Sequence, residues 1–129
     1  MIDVSNRVLS NIKKYVSDIC QEVVNDGSKT PAKFPLLYIV QIDNPDYAID
    51  LENSENAVQS TVEIQAYSNK NITEAKTLIN KACDGMRIMG YVRNYGPMKI
   101  SNAADTNVHR MVARFRRIVS SVDEIKKFD

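Results

Sequence analysis

Three arginines near the C-terminal end, Arg110, Arg114 and Arg116, stand at even positions in the run Val108-His109-Arg110-Met111-Val112-Ala113-Arg114-Phe115-Arg116-Arg117. In an extended strand successive side chains point to opposite faces, so the three share one face with Val112, while His109, Met111, Ala113, Phe115 and Arg117 take the other. A guanidinium carries a planar fork of donors that suits carboxylate or phosphate. Arg93 and Lys99 lie on the preceding extended segment. If the two segments pair, their outer faces form a basic patch that attracts nucleic acid phosphates or an acidic protein surface; a solvated sheet face is the plainer use of the same residues. No exposed aromatic residues are expected to interleave with the arginines, since Phe115 falls on the other face, which argues against base stacking, although Tyr91 and Tyr95 are near in sequence.

The opposite charge collects between Asp43 and Ala57. Asp43, Asp46, Asp50, Glu52 and Glu55 stand there with Tyr47, Ile49 and Leu51 as the only apolar anchors of size. Five carboxylates could gather a hard cation, but the ligand spacing and central glycine of a calcium loop are absent. A solvated acidic loop that touches a partner is the expectation. Gly27-Ser28-Lys29-Thr30 lacks the glycine before the lysine, the earlier glycine and the strand-loop-helix order of a phosphate-binding loop. The only histidine, His109, has no nucleophile and orienting acid suggested beside it. No catalytic, cofactor or metal residues are therefore expected, and the protein is read as one that works by assembling with others.

A chain of 129 residues, 43% hydrophobic and 26% charged, is long enough for one core and too short for two ordinary domains. No apolar run reaches membrane-spanning length and the N-terminus has no apolar leader, so folding in a cytosol is expected. Cys20 and Cys83 each fall on an apolar helical stripe and read as buried free thiols. The net charge of +1 hides an asymmetry: residues 1–64 hold five bases against ten acids, residues 65–129 twelve against six. A closed ring needs two different surfaces of each subunit to meet, and opposite charges would register that contact.

These residues must be positioned by a small set of elements. Leu9, Ile12, Val16, Ile19, Cys20 and Val23 have helical spacing, which predicts a helix over 4–24, capped by Asp3 and stopped by Asn25-Asp26-Gly27. A loop over 28–35 delivers a strand at 36–42. The segment 43–57 reads as a long exposed excursion. Residues 58–67 alternate with period two and predict a second strand. Asn71 and Glu74 resemble a capping box opening a helix that Gly90 ends. Two more strands follow, over 91–101, broken at Gly96-Pro97, and over 106–119. The expectation is a single α+β domain over 1–129, in α-β-β-α-β-β order: an antiparallel four-stranded sheet with two helices packed on one face, and 121–129 a flexible or docking tail. The acidic excursion and the three arginines are expected to serve assembly rather than folding.

In order and texture the chain resembles the tail terminator, or tail completion, family of long-tailed bacteriophages and phage-tail-like particles. The resemblance runs over roughly residues 1–120. It rests on the leading amphipathic helix; on Lys33-Phe34-Pro35-Leu36-Leu37-Tyr38-Ile39; on Thr61-Val62-Glu63-Ile64-Gln65-Ala66-Tyr67-Ser68 with the helix through Ala75-Lys76-Thr77-Leu78-Ile79 to Met89-Gly90-Tyr91; and on Val108-His109-Arg110-Met111-Val112-Ala113-Arg114-Phe115. The resemblance implies a hexameric ring that caps the head-proximal end of the tail tube, stops its polymerisation and offers a surface to the head connector. It implies partners in the chain itself, the tube protein and the connector, DNA passing through the lumen, and a place in the virion after assembly in the host cytoplasm. Arg110, Arg114 and Arg116 would then line the lumen or a subunit interface. Two other readings stand beside it: a head-tail connector or neck protein, and a small nucleic-acid-binding module using the arginine face. A ring that binds tube protein separates the first from a monomer with salt-dependent DNA affinity.

Overall fold

Every fourth residue from Val4 to Val16 is a buried valine or isoleucine, and this stripe makes helix α1 (Ser5–Tyr15) the first element of the computed structural model. The structure describes residues 4–20, 22–24, 34–43, 45–49, 55–100 and 108–120, with backbone only for Glu22, 46–49, Glu55 and Asn56. The helix is shorter than its periodicity predicts. It ends at Tyr15, turns occupy 16–19, and Glu22–Val24 form strand β1. Ile19, Cys20 and Val23 still pack against the core, so their spacing records burial rather than helical backbone. Val23 and Val24 are β-branched and favour the strand. Val4 occupies the N-cap position without a side-chain cap bond; Asp3 and the segment 25–30 lie outside the described residues.

The sheet contains β1, β2 (Leu36–Asp43), β3 (Asp46–Ile49), β4 (Glu55–Ser68), β5 (Val92–Ile100) and β6 (His109–Ser120). Its order is β1-β2-β4-β6-β5, with β3 as a further strand on β4. The expected four antiparallel strands are therefore present within a larger, mixed sheet, because β1 runs parallel to β2. The excursion over 43–57 is also corrected: β3 pairs antiparallel with the start of β4. Pro45 directly precedes β3, and its carbonyl accepts a hydrogen bond from the Gln59 amide at 2.9 Å. A proline is tolerated on an edge strand, where its missing N–H is not needed. β2 and β3 thus form one bent arm along a single edge of β4.

β4 and β6 pair without interruption from Ala57↔Ser120 to Ser68↔His109. Val58, Val62, Ile64 and Ala66 of β4 and Met111, Ala113, Phe115 and Val119 of β6 are buried on one face against the helices. Burying a side chain such as Phe115 or Ile64 stabilises the fold by about 1.5–3 kcal/mol each.

Helix α2 (Ile72–Ile88) lies on that face, and α1 packs beside it, so both helices cover one side as expected. Its start differs from a closed capping box. Asn71 accepts from the Glu74 amide, but Glu74 does not return to Asn71; its carboxylate accepts from the buried Ser68 hydroxyl at 2.7 Å, and Ser68 accepts from the amides of Lys70 and Asn71. At the other end Gly90 adopts φ +88° while Gly90 and Tyr91 donate to the carbonyls of Arg87 and Met86, closing the helix as Gly90 promises. Tyr91, just before β5, is buried, and its hydroxyl donates to Ser60 of β4 (2.8 Å), which donates to Gln41 of β2 (2.9 Å), so the end of the α2–β5 connection and two strands share one polar chain under the helices.

Both cysteines are free thiols. Cys83 is buried in the helix-to-sheet core, whereas Cys20 is only half-buried and donates to the Pro35 carbonyl at 3.6 Å. Burial pushes the Cys83 thiol up from 9.0 to about 11. Cys83 is expected to label slowly with thiol reagents at neutral pH and rapidly once unfolded, with Cys20 reacting first. Because the raised group holds its proton in the folded state, its contribution to stability is complete below pH 9 and is lost as pH rises towards 11. Mass spectrometry of labelled protein and thermal unfolding across that window check both points; equal labelling of the two native thiols would take Cys83 out of the core.

Candidate functional site

The helices leave the opposite sheet face bare among the described residues, and the alternation of β6 places Arg110, Arg114 and Arg116 there. The registers bring Tyr38, Gln65 and Val112 onto one rung, and Thr61, Arg116 and Val92 onto another. Val112 itself is buried, at 5% exposure, although it faces away from the helices.

The three arginines have different surroundings. Arg114 lies opposite Glu63 of β4, and its Nε donates to Glu63 Oε2 at 2.8 Å. Its guanidinium carbon is 5.1 Å from the centroid of the Tyr95 ring on β5, a cation–π distance. Glu63 accepts in turn from Gln65 Nε2 (2.5 Å), and Gln65 Oε1 from the Tyr67 hydroxyl (2.6 Å). A file of alternate residues on β4 therefore fixes Arg114 from one side while Tyr95 fixes it from the other. The Glu63 side chain is only 13% exposed, against 46% for Arg114. Arg116 is exposed. Arg110 is half-buried, and its Nε is enclosed without a hydrogen-bond partner among the described residues.

Arg93 and Lys99 do not join this face. They stand in register with Phe115 and Met111, on the helix side, and Arg93 lies near enough to Cys83 to act on its thiol. The expected shared patch fails because the register sets these odd-numbered residues of β5 opposite odd-numbered residues of β6, which face the helices. Between Arg93 and Lys99 the strand is irregular, its register with β6 shifting between Arg93 and Tyr95 and again between Tyr95 and Met98. One extra residue in a strand sends the following side chains to the other face. The same irregularity delivers Tyr95 to Arg114, so an aromatic does meet the arginine row, from a neighbouring strand. Tyr91 is unavailable for stacking, being buried at 2% exposure.

Sequence reasoning also missed the apolar content of the face. Val92, Met98 and Ile118 are large hydrophobics at 63%, 48% and 46% exposure, and their register partners Arg116, Val112 and Gln59 place all three beside the arginines. Single exposed apolar residues are ordinary, but several on one uncovered sheet face with arginines and a tyrosine have the composition of a contact surface. Of the acidic segment, Asp43 is exposed at the end of β2, Asp46 and Tyr47 lie on β3 and Glu55 begins β4; Asp50 and Glu52 lie outside the described residues, as does 121–129. A separate hollow of about 450 Å³ at the start of α2 is bordered by Lys70, Asn71 and Glu74, whose carboxylate already serves Ser68. Among the described residues no helix is long and apolar enough to cross a membrane.

Helices on one side and, on the other, a sheet face that no described helix covers define a two-layer α+β domain. The solved structure of the gp17 protein of bacteriophage SPP1 is similar in fold, with a TM-score of 0.50 and 13% sequence identity over 87% of this chain and 86% of that one. No protein-family model matches the chain, and no curated protein does.

Proposed function

We propose that the chain is a structural protein of a phage or phage-tail-like particle. It assembles into a closed ring, a hexamer, on the head-proximal end of the tail tube, where it ends tube growth and receives the head connector. The observation that carries this reading is the sheet face left uncovered by the described residues, with Arg110, Arg114 and Arg116 set among Val92, Met98 and Ile118. The likeness in fold to the SPP1 gp17 protein and the sequence resemblance to tail terminators support the same reading. No reaction is involved: the ring's work is to bind tube protein below and connector above, with DNA passing through its lumen. Arg116, exposed and away from the helices, is a lumen or subunit-contact residue in this scheme.

Light scattering tests the ring, with imaging of the product and a capping assay on tubes grown from tube protein. A mass of about 88 kDa, six times the 14.6 kDa chain, and tubes of arrested length are expected. A chain that stays monomeric at all concentrations, with and without tube protein, would overturn the proposal. A ring that binds only the connector would make it a neck protein instead.

A further inference from the structure

Arg114 is held so that its binding fork is left open. Its Nε is engaged by Glu63 and its flat face by Tyr95, while Nη1 and Nη2 have no partner among the described residues. A guanidinium fixed in this way has already lost its rotamer freedom, so a carboxylate that meets the two Nη groups costs less ordering than it would on a free side chain. Arg110 and Arg116 flank it two or four residues away on the same face, and neither has a partner among the described residues. Arg110 is half-buried, with its Nε enclosed and without an acceptor among the described residues.

We propose that this row is a carboxylate receptor for the acidic β2–β3 arm of a second copy of the chain, with Asp43 and Asp46 as its ligands. The inference rests on the ring reading and says which two surfaces meet. Charge selects the occupant. The first 64 residues carry ten acids against five bases, and Asp43 stands exposed on the arm with Asp46 at the start of β3. β3 pairs only with β4 among the described strands, and no described strand lies along its other side. An edge meeting a face is a contact between two different surfaces, and such a contact propagates from subunit to subunit until it closes. The apolar residues choose between carboxylate and phosphate. Val92 and Ile118 border Arg116, and a polypeptide arm has side chains to cover them, whereas a nucleic acid backbone offers only charge.

Charge reversal in two complementary variants tests the contact. Arg116→Glu spares the Arg114–Glu63 pair, and Asp43→Lys with Asp46→Lys reverses the arm. Each alone is expected to weaken self-association at least about tenfold, roughly 1.4 kcal/mol, with thermal unfolding near that of the parent. Mixing the reversed-arm variant with one that carries Arg110→Glu as well as Arg116→Glu should restore the parental mass, since that row holds two acids against one base and both contacts in the mixture then join opposite charges. If the parent associates and the variants associate equally well, or the mixture stays dissociated, the inference is overturned while the ring stands. If the parent itself never associates, the ring reading fails first. Binding of a DNA oligonucleotide that Arg116→Glu abolishes without any change in mass would overturn the inference in favour of a phosphate track.

Discussion

Gly96→Ala is expected to cost about 3 kcal/mol or more of folding stability and to lower the melting temperature by about 10 °C. Two independent contributions add. Gly96 has φ +72°, a left-handed conformation that costs a residue with a Cβ about 1–2 kcal/mol. A Cβ built there lies 2.3 Å from the Val112 carbonyl oxygen and 3.1 Å from the Ala113 Cα. Both are backbone atoms in the middle of β6, so no side chain can swing aside; the β5–β6 pairing itself must open. Gly90, also at positive φ, provides the control. A Cβ there meets only the flexible Arg117 side chain, 3.0 Å away, so Gly90→Ala carries the conformational cost with little of the overlap. Calorimetry on the two variants, with hydrogen exchange of the β6 amides, separates them. Equal losses would show that backbone conformation alone matters; a Gly96→Ala protein as stable as the parent would mean that β5 does not approach β6 as closely as described. The damage reaches the candidate site, because Tyr95 and Met98 are placed on the outer face by the chain on either side of Gly96.

The same region marks how far the sequence could be read. The faces of β4 and β6 were legible because their alternation runs unbroken for a dozen paired residues, and parity alone put Arg110, Arg114 and Arg116 together away from the helices. α2 was legible for a similar reason, since its stripe of Ala75, Leu78, Ile79, Ala82, Cys83 and Met86 is buried along its whole length and Asn71 and Gly90 mark its ends. Parity failed on β5. Arg93, Tyr95 and Lys99 have the same parity, yet two register shifts divide them between faces, and no local signal beyond Gly96-Pro97 announces a shift. β1 and β3 escaped for another reason. Three- and four-residue strands carry too little pattern to overrule a helical spacing that runs into Val23 or a proline and carboxylates around Tyr47, and both owe their form to long-range pairing with β2 and β4. The contact between Arg114 and Glu63 was out of reach in the same sense: the residues are 51 apart, and only the register of β4 on β6 makes them neighbours.

That contact divides the three arginines, which by sequence alone were expected to be dispensable for folding as a group. Arg114→Gln is expected to destabilise the domain by about 1–3 kcal/mol, while Arg116→Gln stays within about 0.5 kcal/mol of the parent. The difference lies in what each leaves behind. Removing Arg116 returns an exposed side chain to water. Removing Arg114 strips the countercharge from Glu63, whose side chain is 13% exposed and is fixed by Gln65 and Tyr67. A carboxylate so enclosed cannot recover by turning outward without giving up those bonds, and breaking a partly buried pair from one side costs more than the pair is worth. The loss also frees Tyr95, which stacks on the guanidinium. Adding Glu63→Gln to Arg114→Gln should therefore return part of the stability, because it removes the stranded charge while keeping an acceptor for Gln65. Denaturant unfolding of the two single variants and the double variant measures the coupling, expected at about 1 kcal/mol or more. Arg114→Gln and Arg116→Gln with equal stabilities would show that the Glu63 pair contributes nothing to the fold and that all three arginines are free for assembly, as their sequence pattern alone suggests.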